Sequence, residues 1–170
     1  KDYIIQIRRE LHQVPEIGFE LPKTLAIIRR ELEAIGLPYS EEFGTASIIA
    51  TLNEGKGNKT IALRADTDAL PVQEQTELPF ASTIPGQMHA CGHDCHTAML
   101  LGTAKALKEM ESEINCCVKF LFQSCEEGTA GAKLVCDDGF MDDVDQIIAC
   151  HITADQPAGV VLIGQDCVNA

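Results

Sequence analysis

Tryptophan is absent from this chain of 170 residues, and two tyrosines and six phenylalanines are all its aromatic side chains. Its core must therefore be built mainly from aliphatic groups. Cations are scarce too: 13 lysines and arginines face 26 aspartates and glutamates, for a net charge of −13. So acidic a surface argues against nucleic acid or any other polyanion as a partner. A bound cation can still reverse the field locally, which leaves acidic substrates open. No signal-peptide layout and no apolar run of membrane-spanning length is present, so the expectation is a cytoplasmic protein with no membrane partner. Repeats, linkers and low-complexity stretches are also missing.

What is there suits one globular domain with a sizeable core, at 45% hydrophobic and 23% charged residues. The eight cysteines are Cys91, Cys95, Cys116, Cys117, Cys125, Cys136, Cys150 and Cys167. Several fall inside apolar, strand-like runs, which favours reduced thiols over a disulfide framework. The first residue is Lys1 rather than methionine, so a processed or trimmed N-terminus is expected.

Apolar periodicity predicts a helix over residues 2–14, ended by Pro15, and a second from Pro22 or Thr24 to Ile35, closed by Gly36. Strands are expected at 47–52 and 60–64, separated by the turn NEGKGN. Residues 65–96 read as one long irregular stretch interrupted by Pro71, Pro79 and Pro85, and ordered loops of that length are usually functional. A helix from about 97 to 110 should bury Leu100, Ala104, Leu107 and Met110. Buried strands at 117–122 and 146–150 flank a helical stretch at 130–136, and 159–163 reads as extended. Strands alternating with helices mean an α/β sandwich with an at least partly parallel sheet.

The densest chemistry lies in QMHACGHDCHTAML, where Cys91, His93, Asp94, Cys95 and His96 crowd metal-capable groups into six positions. Gly92, lacking a Cβ, lets the chain turn so that its neighbours converge. Placed where a loop enters a helix, a thiol there would be favoured as thiolate by the free N–H groups and the dipole. Three predicted strands also end on ionisable residues: TIALRADTD on Asp66 and Asp68, VKFLFQSCEE on Glu126 and Glu127, QIIACH on His151. Ligand sites in α/β sheets gather beyond the carboxyl ends of strands. Each group has an ordinary explanation as well. The aspartates could cap a turn, the glutamates could be a solvated pair, His151 could be a satisfied core histidine, and the cysteines could be inert. Their joint placement on one rim favours a metal site. Of two adjacent glutamates, one can bind a cation while the other moves protons near a water whose pKa the metal lowers to about 7. Thiolate, imidazole and carboxylate together suit zinc, manganese, nickel or cobalt more than magnesium.

These stretches, together with RRELHQVPEIGFE, ALRADTDALPVQE, GQMHACGHDCHTAMLLGTAKAL, FQSCEEGTAGAKLV and HITADQPAG, resemble the M20 family of metallopeptidases and amidohydrolases, in its aminoacylase and hippurate hydrolase branch. The resemblance spans nearly the whole chain, and MHACGHD is its most specific part. It implies a three-layer αβα sandwich of zinc-exopeptidase type, with a mixed, largely parallel sheet that is incomplete at its C-terminal side. It implies two divalent cations held by Cys91, His93, Glu127 and His151, with Glu126 as general base and acid. Asp66 and Asp68 stand where other branches keep a histidine ligand and the aspartate that orients it; here they are expected to support the ligands. The implied reaction is hydrolysis of the amide bond of N-acyl amino acids or short peptides by a metal-activated water.

Two departures from the family pattern stand out. Ser124–Cys125 replaces the usual Pro-Ala before the glutamate pair. The family's lid and dimerisation domain, and the returning catalytic segment with a further histidine ligand, lie outside these residues. The chain is therefore expected to be the N-terminal portion of a catalytic domain, inactive alone and needing a C-terminal remainder or a second chain, with a homodimer as one arrangement. Two alternatives compete: an incomplete domain serving as an interaction or metal-binding module through an open sheet edge, and a Cys/His hydrolase with Cys91 as nucleophile. Chelator-insensitive activity would mark the latter.

Overall fold

A computed structural model describes residues 1–128 and 130–162. Its elements in chain order are α1 (Asp2–His12), α2 (Pro22–Ile35), β1 (Tyr39–Ser40), β2 (Ile48–Leu52), β3 (Thr60–Asp66), α3 (His93–Glu109), β4 (Cys117–Gln123), α4 (Gly131–Asp137) and β5 (Gln146–Ala149). The strands form one open sheet in the order β1-β2-β4-β3-β5. β1/β2 and β2/β4 pair antiparallel; β3/β4 and β3/β5 pair parallel. The sheet is mixed, as expected, and its parallel half is the half that carries the ionisable strand ends.

Side-chain alternation along the strands sorts residues into two layers of packing. Ile48, Ala50 and Leu52 of β2, Ala65 of β3, and Val118, Phe120 and Phe122 of β4 pack with Leu11, Leu25, Ile28, Leu32, Leu101 and Ala104 from α1, α2 and α3. On the opposite face Ile49, Ala62 and Leu121 meet Val135 of α4 and the following Phe140. Two phenylalanines of the central strand, Phe120 and Phe122, are fully buried and provide the bulk that tryptophan would supply in another core.

α2 begins with Pro22 in its first turn and ends at Gly36, whose φ of +80° is open to glycine at little cost. Gly36 and Leu37 N–H groups close the helix on the Leu32 carbonyl at 2.9 and 3.1 Å.

Three expectations need correction. α3 begins at His93, four residues before the predicted 97, so most of the ionisable cluster is the helix's first turn rather than a loop. Met110, expected in the core, is 46% exposed, because the helix has ended and turned outward by then. β5 is exposed along its whole length, not buried, because it is an edge strand with Ile147 and Ile148 open at 45% and 52%. Of the extended run at 159–163, residues 159–162 form no strand and Ile163 lies outside the described residues. Among the described residues, no helix is long and apolar enough to cross a membrane, and seven cysteines are free thiols; Cys167 lies outside them.

Candidate metal centre

His93 is the hub. It opens α3 directly after Gly92, whose φ is +96°, a left-handed conformation that a side chain would strain. Its ring is 1% exposed, and Nδ1 donates to the main-chain carbonyl of Asp68 at 2.8 Å. That bond commits the proton to Nδ1 and leaves Nε2 with a lone pair. Nε2 is buried and has no hydrogen-bond partner. Around it stand Asp66 Oδ1 at 3.6 Å, Glu127 Oε1 at 3.7 Å and Glu126 Oε2 at 3.8 Å. Two donors on one tetrahedral ion lie roughly 3.4 Å apart, so these spacings suit an ion between the groups better than a direct bond.

Among the described residues, three sets of potential ligand atoms, each mutually within 4.8 Å, share His93: Cys91, His93 and His151; His93, Glu126 and Glu127; and Asp66, His93 and His96. Cys91, His93, Glu127 and His151 thus divide between two sets that meet at one imidazole, rather than forming a single cage. His151 sits just beyond β5 with Nδ1 on the Ile152 carbonyl at 2.5 Å, so Nε2 faces Cys91 Sγ, 3.3 Å away.

The aspartates hold the frame. Asp68, 1% exposed, accepts the backbone N–H groups of Glu126 and Glu127 at 2.9 and 3.2 Å. It therefore fixes the turn after β4 while its own carbonyl orients His93. Asp66 accepts from His96 Nδ1 at 2.6 Å and from Arg64 at 2.9 Å. The Ser124–Cys125 departure has a visible packing consequence. The Ser124 hydroxyl donates to the Thr45 carbonyl at 2.5 Å, and Cys125 takes a φ of +52° with its sulfur where a Cβ on Gly128 would stand.

Electrostatics point the same way. Burial pushes the Cys91 thiol up to about 12, assisted by its hydrogen bond to Glu127 and by the charges of Glu127, Asp66 and Glu126. Without a metal, then, the helix start does not favour a thiolate at Cys91, which precedes the helix and faces carboxylates. Burial works against protonation of His93, but Asp68, Asp66 and Glu127 outweigh it and raise its pKa. Burial also works to raise Asp66, but His96, His93 and Arg64 hold it below the ordinary range. Arg64 reaches Asp66 alone among these acceptors, and a cation would supply positive charge beside His93 Nε2.

Sequence reasoning gave no task to His96, 3% exposed, or to His89, 4% exposed, whose ring nitrogens are both unpartnered and whose pKa burial lowers to about 4. The signal for His96 was its spacing: three residues from His93 on one helix, the two share a face. A helix predicted from 97 onward leaves that shared face out. Asp94 turns the other way, onto His12 of α1.

An α/β chain that gathers a thiol, imidazoles and carboxylates beyond its parallel strands has the build of a metal-binding catalytic domain. Residues 62–164 match Peptidase family M20/M25/M40, and the chain belongs to that family. It is 43% identical to IAA-amino acid hydrolase ILR1-like 5 of Arabidopsis thaliana, over 89% of this chain and 35% of that protein. It is 41% identical to N-acetylcysteine deacetylase of Bacillus subtilis, over 93% of this chain and 42% of that protein. Among solved structures, the YXEP protein of Bacillus subtilis, described as a dinuclear metal binding peptidase from the M20 family, superposes with a TM-score of 0.85 at 43% identity. That match covers 91% of this chain and 44% of the other. The chain thus spans less than half the length of these relatives.

Proposed function

We propose that this chain carries most of the metal centre of a hydrolase that cleaves the amide bond of N-acyl amino acids or short peptides. The observation that carries the reading is His93 Nε2, buried, unpartnered and ringed by carboxylate oxygens at 3.6 to 3.8 Å. Cys91, His93, Glu127 and His151 would hold two divalent cations of the zinc, manganese, nickel or cobalt kind, since their mixed soft and hard donors suit those ions. When bound, the cations supply Lewis acidity: they make a water acidic near neutral pH and stabilise negative charge on the carbonyl oxygen.

The rest falls to the protein. Glu126, with its side chain 37% exposed and anchored through its N–H on Asp68, faces the hub at 3.8 Å from His93 Nε2, too long for a hydrogen bond. It takes the proton from the attacking water and returns it to the leaving nitrogen. Asp66 and Asp68 hold the imidazoles and the glutamate turn in place. The substrate class follows the relatives, which are named for hydrolysis of IAA–amino acid conjugates and for deacetylation of N-acetylcysteine. Further donors and substrate contacts are proposed to come from polypeptide outside these residues, which leaves this chain alone with weakened metal affinity and little turnover. In the complete protein, Glu126→Gln should abolish hydrolysis while elemental analysis still finds the metals. Persisting turnover would remove Glu126 from this role.

The open β5 edge, with Ile147 and Ile148 exposed, favours a second reading in which the chain acts as an interaction or metal-binding module. Light scattering and elemental analysis separate the two. Metal-free, self-associating protein supports the module.

A further inference from the structure

His96 lies in the same cluster as the proposed ligands, yet both its ring nitrogens are already engaged. Nδ1 is 2.6 Å from Asp66 Oδ1, and Nε2 accepts the backbone N–H of Ile152 at 2.9 Å. An amide N–H can only donate, so Nε2 carries the lone pair and Nδ1 faces Asp66 as the donor. Asp66, the acceptor of that proton, is fixed in turn by Arg64 at 2.9 Å. A hydrogen-bonded line thus runs from the end of β3, through the first turn of α3, to the main chain beyond β5.

Ile152 is held at a second point. A Cβ on Gly92 would stand 2.3 Å from Ile152 Cδ1, so the side chain lies directly over the glycine between Cys91 and His93. One residue back, the His151 ring packs against His96 with centroids 4.8 Å apart and a 64° interplanar angle, and its Nε2 reaches to 3.3 Å from Cys91 Sγ. β5 ends at Ala149, and no helix or strand follows it among the described residues. Beyond the strand pairing at the end of β5, the Ile152 N–H to His96 bond and the Cys91–His151 contact tie this segment to the rest of the described chain.

We infer that His96 is a positioning residue that sets His151 against Cys91 by holding the Ile152 amide, and that it is not itself a metal ligand. The task assigned to His151 rests on the proposed function; the placement of Ile152 does not. The rival is direct ligation, since Asp66, His93 and His96 also lie within 4.8 Å of one another.

The test uses the full-length protein, first stripped of metal. Ring-nitrogen NMR of the wild type should show His96 protonated at Nδ1 and bare at Nε2, a measurement that needs no variant. Amide exchange at Ile152 should be slow. It should accelerate about tenfold in His96→Ala, the size expected for loss of one hydrogen bond. His96→Gln puts an oxygen near the former Nε2 and should restore protection. His96→Asn, whose oxygen reaches only as far as Nδ1, should not. Amides of β4 serve as the control for folding. Cobalt titration then reads stoichiometry: His96→Gln should bind as many ions as the wild type. A wild-type ring protonated at Nε2, an Ile152 amide that exchanges freely or ignores His96→Ala, or a cobalt ion lost in His96→Gln with Ile152 still protected would each overturn the inference. Wild-type protein that binds no cobalt would sink the metal reading instead, and the exchange data would still decide the role of His96.

Discussion

A thiol in this centre behaves differently from a thiol at a helix start. Burial and three carboxylates push Cys91 up to about 12, so metal-free protein should leave it protonated at neutral pH. The expected outcome is slow alkylation of Cys91 by iodoacetamide near pH 7, becoming fast only under strongly alkaline conditions, as read by peptide mass spectrometry. Rapid labelling at pH 7 would reinstate the reading of Cys91 as a nucleophile, because reactivity follows the thiolate fraction. The glycine beside it is constrained twice, by a φ of +96° and by Ile152 against its Cα. Gly92→Ala should cost about 1–3 kcal/mol from backbone strain alone, more once Ile152 is displaced. Urea denaturation measures this directly. Gly92 was legible in the sequence as a turn residue. That it also makes room for a side chain 60 positions away in sequence was not, since no local pattern encodes such an approach.

At the scale of elements, the first turn of α3 is the joint of the molecule. His93 and His96 face the sheet ends, whereas Asp94, fully buried, faces α1 and accepts from His12 Nδ1 at 2.7 Å beside Arg8 at 2.8 Å. His12 Nε2 reaches Glu74 of the long loop at 3.2 Å, so one imidazolium ties two helices and that loop together. The bond to Asp94 outweighs burial and raises the His12 pKa. Burial would raise Asp94, but His12, His89 and Arg8 hold it below the ordinary range. The signs set a window. Stability from His12 is complete below the ordinary histidine value of about 6.5 and fades as pH rises through the raised value. Stability from Asp94 is complete above about 3.9 and fades as pH falls through the lowered value. His12→Ala should therefore cost about 3 kcal/mol near pH 5 to 6, the low end for a broken buried pair because Arg8 remains on Asp94. The deficit should shrink toward alkaline pH, and denaturation curves across that range check it. A cost that grows with pH would mean His12 is buried neutral. α3 was placed too late in the sequence because its first turn is polar throughout: burial of His93, Asp94 and His96 replaces the apolar stripe on which helical periodicity depends.

Across the whole molecule, the sheet runs from a closed interior to an open margin. Phe120 of β4 is fully buried, whereas Ile148 of β5 is 52% exposed. In the 170-residue chain, Phe120→Ala should cost about 3–5 kcal/mol, while Ile148→Lys should stay within roughly 0.5 kcal/mol of wild type. The same urea experiment reads both. A large loss from Ile148→Lys would show that the margin is covered in solution. The apolar run QIIAC gave no warning of this. An edge strand and a central strand have the same composition when the difference lies in what packs on them.

The sequence by itself determined the family, the alternation of strands and helices, and the segments that carry ionisable groups, because those depend on residue type and local spacing. Cys91, His93, Asp66, Asp68, Glu126, Glu127 and His151 could all be picked out as strand-end or loop chemistry. Only the tertiary structure decided that His93 is shared by every set of candidate ligands among the described residues, that Asp68 braces the glutamate turn, and that His96 faces the main chain at Ile152. The bonds that fix this arrangement join residues 25 to 59 positions apart, and form only when parallel strands bring their ends together at one rim.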